Sequence, residues 1–243
     1  RIMKTEFKDL FSNQSTDYAK FRPTYPGELF VYLADVSKSK DLAWDCGTGN
    51  GQAAIELAKR FKTVIATDPS EKQIKNAAPA SNIEYSIGSA ENSDLESQSA
   101  DLITVAQAFH WLKQDAFHSE CRRILKPGGV LAFWCYELAE VSKDIDASVL
   151  KLYSGTLGPH WEKERKLVDE GYASVKVPFT ELVPPTFEMK ADWYLDHFVG
   201  YLSTWSALQT YIKKAKPTHS KISSPNSKPS GGPQKKSPLE TSP

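Results

Sequence analysis

The sequence predicts an α/β fold with a doubly wound, mostly parallel sheet, on three observations. Short apolar runs near 42–46, 63–68, 83–87, 101–106 and 130–136 are separated by stretches whose apolar residues recur at helical spacing. The runs are apolar on both faces, as strands buried between two helical layers must be. Between the first run and the helical pattern that follows it stand three alternate glycines, Gly47, Gly49 and Gly51. Removing every second Cβ permits positive φ and lets a ligand lie against the backbone.

Phe7, Leu10, Phe11, Tyr18, Phe21 and Tyr25 make an aromatic opening, and residues 1–36 read as a cap over the mouth of the sheet. Within it Arg22, held beside Pro23, can aim its fork at a carboxylate; a surface arginine stacked on Tyr18 or Tyr25 is the competing reading. Glu28 to Ala34 carries Leu29, Phe30 and Leu33 on one helical face. Residues 37–136 form the predicted ligand-binding core. Its first strand ends at Asp45, and Asp45-x-Gly47-x-Gly49-x-Gly51 follows. A dinucleotide fingerprint requires its third glycine at position 52, where the chain has Gln52. The second strand ends at Asp68, where an acid can take both hydroxyls of a ribose. Asp68-Pro69-Ser70 then opens a helix with Ser70 as N-cap and Glu71 in its first turn.

Ile83 to Ile87 alternates like a strand and leads into Gly88, Ser89, Ala90 and Glu91. The carboxyl end of the strand 101–106 delivers Gln107, Ala108, Phe109, His110 and Trp111 to the ligand side. A lone histidine is more often structural than functional, but a strand end in this fold favours His110 as a site residue. Phe117, Cys121, Ile124 and Leu125 make a helical stripe, and Pro127-Gly128-Gly129 turns into the strand 130–136. Strand, helix and strand thus repeat five times. Residues 137–214 are less regular and read as a helical insertion on the substrate side, with a sixth strand around Phe179 to Met189 that Pro184-Pro185 confines to an edge. His160 and Arg165 in this segment can face a carboxylate, although a solvated helix face explains Arg165 equally well. Residues 215–243 are Pro-, Ser- and Lys-rich, and too poor in apolar surface to fold.

The chain has 243 residues, with 30 basic and 30 acidic side chains. That is enough for one α/β domain with insertions, and the charge balance gives no overall field for nucleic acid or an anionic membrane. Cys46, Cys121 and Cys135 have neither the number nor the spacing of a disulfide framework or a zinc site, so no metal is expected. No apolar run approaches the ~20 residues of a membrane span, and a cytoplasmic address follows. The sequence opens on Arg1 with Met3 two residues later, which reads as the edge of a fragment.

Taken together, Asp45 to Gly51, Asp68, Ser89-Ala90-Glu91 and Leu125-Lys-Pro-Gly-Gly-Val130 resemble the class I S-adenosylmethionine-dependent methyltransferases, in their methyltransferase type 11 form. More narrowly, Tyr18-x-x-x-Arg22-Pro-x-Tyr25-Pro26, Ala108-Phe-His-Trp111, Gly158-Pro-His-Trp161 and Thr204-Trp-Ser206 are similar to the trans-aconitate methyltransferase-like group. The resemblance implies a Rossmann-like core and S-adenosyl-L-methionine as cofactor. It places Asp45, Gly47, Thr48, Gly49 and Gly51 along the methionine part, with Asp45 toward its ammonium. Asp68 and Pro69 fall at the ribose, Ala90 and Glu91 at the adenine. Gln107, Tyr18, Arg22 and His110 surround the transferred methyl group. A small-molecule acceptor methylated on a carboxylate oxygen is the reaction implied. Nitrogen, hydroxyl or arsenic acceptors, or cofactor binding without catalysis, are the alternatives. The family closes its sheet with a final antiparallel strand; here the Pro/Ser/Lys-rich tail takes that place, so an open sheet edge, lowered stability and self-association through the edge are expected.

Overall fold

The structure, a computed structural model, describes residues 21–215. Helix α1 (Gly27–Val36) precedes β1 (Leu42–Cys46), α2 (Gln52–Ala58), β2 (Thr63–Asp68), α3 (Glu71–Lys75) and β3 (Ile83–Ile87). Then come β4 (Ala100–Ala106), a single 3-10 turn (Phe109–Trp111), α4 (Gln114–Ile124) and β5 (Leu125–Trp134). The five strands form one parallel sheet in the order β3-β2-β1-β4-β5.

Alternation along the buried strands sends side chains into two cores. Ala43, Val64, Ala66 and Leu102 meet Leu29, Phe30 and Leu33 of α1 and Ala53, Ala54 and Leu57 of α2 on one face. Trp44, Cys46, Ile103 and Val105 meet Phe117, Cys121 and Ile124 of α4 on the other. The helical stripes expected from the sequence are therefore the ones buried. Ser70 caps α3 as expected, its hydroxyl accepting from Gln73 N at 3.4 Å.

The remaining described chain packs beyond the ends of β4 and β5. It comprises α5 (Lys143–Leu150), a π-helical turn (Lys151–Thr156), a second 3-10 turn (Gly158–His160), α6 (Arg165–Asp169), α7 (Leu195–Ser203) and α8 (Ser206–Ala215). Val149, Tyr153, Leu157, Tyr201, Trp205 and Ala207 form its core.

Three expectations are corrected. The β3–β4 connection contains no helix, because Ser89 to Ser99 is polar and lacks apolar periodicity. The sixth strand around Phe179 to Met189 does not form. Pro178, Pro184 and Pro185 remove ladder donors, and the segment crosses instead as irregular chain, with Phe179 in the α4-side core and Phe187 against the α1-side core. Finally, Pro127-Gly128-Gly129 is a bulge within β5 rather than a turn before it: Leu125 pairs with Ala100, and Val130 resumes pairing opposite Leu102. Gly128 supplies the positive φ of +81° that this excursion requires. Tyr18 and the other aromatic residues of 1–20, and residues 216–243, lie outside the described residues.

The helix-free β3–β4 loop is fastened by one buried carboxylate. Glu120 on α4 accepts from Ser93 N at 2.7 Å and Ser93 Oγ at 2.9 Å, and from Arg123 Nη2 at 2.6 Å; Arg123 Nη1 donates to Leu95 O. The Arg123 guanidinium, then the Ser93 donors, hold the Glu120 carboxyl down at about 2. A depressed folded value stabilises above the ordinary 4.5 and is lost as pH falls toward 2. Glu120→Gln is expected to cost ~1–2 kcal/mol at pH 7, the Arg123 end being partly solvated, and almost nothing at pH 2.5. Urea midpoints at the two pH values check this.

Candidate active site

The order β2-β1-β4 makes the chain leave β1 in one direction and β4 in the other, which opens a crevice at their carboxyl ends. Two segments meet there: the loop Asp45 to Gly51, and Gln107 to Trp111.

Gly47, Gly49 and Gly51 all have left-handed φ, at +68°, +57° and +84°. At Gly47 a Cβ would meet Ala108 Cβ at 2.8 Å, so the loop lies flat against the end of β4. At Gly51 it would overlap the Tyr85 ring. At Gly49 it would meet nothing within 4 Å, which marks the side a ligand can approach. The loop hangs from β2: Gly47 N and Thr48 N both donate to Thr67 O, at 2.8 and 3.0 Å.

Asp68 completes the cradle. Its Oδ2 accepts from Gly49 N at 2.9 Å and its Oδ1 from Ser70 N at 2.8 Å, so one carboxylate joins the glycine loop to the start of α3. Asp45 lies behind the loop, fully buried. Thr48 Oγ1 donates to its Oδ2 at 2.5 Å and Thr104 Oγ1 to its Oδ1 at 2.7 Å. Burial raises its carboxyl to about 6, against the pull of the two hydroxyls. The role visible for Asp45 is thus to tie β1, loop and β4 together, rather than to present a bare carboxylate at the surface of the crevice.

Ala90 is buried, while Glu91 accepts from Ser89 Oγ at 2.6 Å and Lys113 N at 3.0 Å, which fixes the β3–β4 loop against the 3-10 turn. Pro69 is exposed on the turn into α3. Gln107 has φ +56°, donates its N–H to Trp134 O at 2.9 Å, and buries a side-chain nitrogen without a partner among the described residues. His110 is buried and its Nδ1 lies 2.9 Å from Tyr172 Oη; desolvation, then the charge of Arg165, lowers it to about 4. Arg22 donates to Tyr136 Oη at 2.5 Å and lies over the rings of Tyr136 and Tyr201. A cavity of about 290 Å³ between Arg22, Tyr25, Asn50, Gly51 and Gln52 borders the loop. A second, of about 350 Å³, is lined by Lys163, Glu164, Lys166, Leu167, Glu170 and Ser174.

His160 is half-buried and packs its ring edge-on against Tyr211 of α8, with 5.4 Å between ring centroids. Thr104, Tyr136 and Tyr172, none singled out from sequence, hold Asp45, Arg22 and His110 respectively. Among the described residues no group of three or more His, Cys, Asp or Glu side chains is placed to hold a metal ion, and no helix is long and apolar enough to cross a membrane.

A glycine loop, an acid closing the next strand and a strand-end crevice define a class I S-adenosylmethionine-dependent methyltransferase. Residues 44–133 match the methyltransferase domain family model. The chain is 40% identical over 213 residues to a Dictyostelium discoideum protein named "Putative methyltransferase", covering 86% of this chain and 81% of that one. A solved Anaeromyxobacter dehalogenans structure, described as a putative type II methyltransferase, is 41% identical with TM-score 0.75, covering 81% of this chain and 84% of that one. A methyltransferase of Aspergillus candidus is 27% identical over 201 residues, 70% of this chain and 63% of that one. The chain belongs to the S-adenosylmethionine-dependent methyltransferase family, and S-adenosyl-L-methionine is its cofactor.

Proposed function

We propose that the chain methylates a small molecule on a carboxylate oxygen, in the manner of the trans-aconitate methyltransferase-like group. The observation that carries this reading is His110. Bonded to Tyr172 and lowered by burial to about 4, it is neutral and a weak base at pH 7, which suits an acceptor that arrives already nucleophilic. A carboxylate does.

The loop suits the cofactor: Gly47 has no room for a side chain, Gly49 faces open space and Asp68 stands across from it. In this reading the methionine part lies along Gly47, Thr48, Gly49 and Gly51, its ammonium on the Asp45 side; the ribose meets Asp68 and Pro69, and the adenine Ala90 and Glu91. Bound S-adenosylmethionine supplies an electrophilic methyl carbon on a sulfonium, whose sulfur is left neutral once the carbon is bonded to the acceptor oxygen. Arg22, Gln107 and His110 orient that oxygen and exclude water, with Tyr18 assigned to the same chamber from sequence. Alignment of the two reacting atoms alone is worth several kcal/mol. The free thiols Cys46, Cys121 and Cys135 accord with a cytoplasmic address.

The test is calorimetry with S-adenosylmethionine and S-adenosylhomocysteine, followed by turnover on a panel of mono-, di- and tricarboxylic acids, read as base-labile methyl esters. Cofactor binding without ester formation on any acid would overturn the carboxylate reading and favour another acceptor atom or a non-catalytic relative. Gly49→Ala is expected to fold with a loss of ~1–2 kcal/mol, since alanine resists left-handed φ. Its new methyl group fills the open side of the loop, so affinity for S-adenosylhomocysteine should fall at least about tenfold (~1.4 kcal/mol). Unchanged affinity would place the ligand elsewhere.

A further inference from the structure

We infer that Arg165 is a specificity-determining residue of this site, the end of its guanidinium gripping a carboxylate of the acceptor beside the His110–Tyr172 pair. The inference rests on the carboxylate reading above and adds a residue from the insertion to it.

Arg165 opens α6, and α6 is fastened onto the strand ends at two points. Tyr172, just past the helix, donates its N–H to Leu167 O at 2.8 Å and carries the hydroxyl that meets His110. Cys135, just past β5, places its Sγ 3.8 Å from Val168 O. The guanidinium is then held from behind. Its carbon lies 4.8 Å from the centre of the Trp161 ring and 5.4 Å from that of Tyr153. Its Nε donates to Tyr153 Oη at 2.7 Å and lies 3.3 Å from Asp169 Oδ1.

An arginine that served only its ion pair would present its two-nitrogen edge to the carboxylate, the strongest geometry available to it. Here a single nitrogen makes the contact, and the same Asp169 oxygen also accepts from Tyr153 Oη at 2.5 Å. Neither terminal nitrogen of Arg165 has a hydrogen-bond partner among the described residues, which leaves the planar fork with four N–H donors. The side chain is 24% exposed, so the fork is reachable yet partly desolvated, where a charge-assisted pair is stronger than in open water. Its positive charge helps lower His110 and opposes the upward shifts of Tyr172 and Cys135, the groups packed at the strand ends. Stacking on two aromatic rings and pinning by Nε fix the side chain before the acceptor arrives, which lowers the entropy cost of gripping it.

The experiment titrates acetate, benzoate, succinate, glutarate and citrate into the full chain loaded with S-adenosylhomocysteine, by calorimetry, for wild type, Arg165→Gln and Arg165→Lys. The expected result is that the best-binding acid loses at least about tenfold in affinity in Arg165→Gln (~1.4 kcal/mol). Arg165→Lys, which keeps the charge without the fork, should fall between. Affinity for S-adenosylhomocysteine should stay at the wild-type value in both, which separates acceptor recognition from a general loss of structure. Equal binding of the best acid by wild type and Arg165→Gln overturns the inference and leaves the carboxylate reading standing. If Arg165→Gln does not fold, wild-type affinity in Arg165→Lys overturns it instead. No binding of any acid to the wild type overturns both.

Discussion

Asp68→Ala is expected to lose S-adenosylhomocysteine binding by at least about a hundredfold (~2.7 kcal/mol) and to unfold more easily by ~1–3 kcal/mol. The two effects share one cause. The carboxylate accepts from Gly49 N and Ser70 N, so removing it strands two largely buried backbone donors and frees the glycine loop from α3. On the proposed reading it also removes the oxygens to which the ribose hydroxyls donate. Hydrogen bonds to a charged group contribute ~1.5–3 kcal/mol each, and both a protein pair and a ligand pair are at stake. Asp68→Asn separates the contributions, because the amide keeps one acceptor oxygen and turns a donor toward the other N–H. It should fall between wild type and alanine in both measurements. Calorimetry paired with thermal melts reads the outcome. Wild-type affinity in Asp68→Ala would remove the foundation of the site as described.

What the sequence made legible was local. Three alternate glycines, an acid at the end of each of two short strands, Ser70 before an acidic first turn, and the stripe of Phe117, Cys121 and Ile124 each declare themselves within a few residues. They recur in the structure as left-handed turns, an acid that ends β2 and another one residue before the end of β1, an N-cap and a buried face. What stayed hidden depends on partners distant in the chain. Thr104 looks like an ordinary β-branched strand residue until β4 is set beside β1 and it faces Asp45, 59 residues earlier. Tyr172 reads as one aromatic among many, and its contact with His110 exists only once α6 rests on the strand ends. The failed sixth strand shows the converse. The stretch from Phe179 to Met189 suggests an edge strand, yet prolines at 178, 184 and 185 take away the donors that a ladder needs, and Val183 is left 94% exposed. Arg165 was visible as a cation. Only its neighbours distinguish a fork held for a ligand from a solvated helix face.

Thr104→Val is expected to destabilise the fold by ~2–3 kcal/mol at pH 8 but by only about 1 kcal/mol at pH 4.5. The difference follows from the charge state of Asp45. Burial lifts its carboxyl from the ordinary 3.8 to about 6 in the folded chain, so the native state keeps the proton to higher pH than the unfolded one. Stability from this group is therefore greatest below pH ~4 and declines as pH rises through about 6, by a total on the order of 3 kcal/mol. At pH 8 the buried carboxylate is ionised and depends on the hydroxyls of Thr48 and Thr104, the two side chains that favour its charged form. Valine has nearly the shape of threonine without the donor, so the substitution removes one charge-assisted bond and creates no cavity. The folded value of Asp45 then rises further, and the loss of stability extends to higher pH. At pH 4.5 the acid is protonated and can donate elsewhere, so the hydroxyl matters less. Asp45→Asn should flatten the pH dependence in both backgrounds, since nothing remains to titrate. Urea denaturation midpoints for the four chains at pH 4.5 and 8 decide it. An equal penalty for Thr104→Val at the two pH values would mean that Asp45 is not ionised behind the loop, and the tie between β1 and β4 would have to be a neutral one.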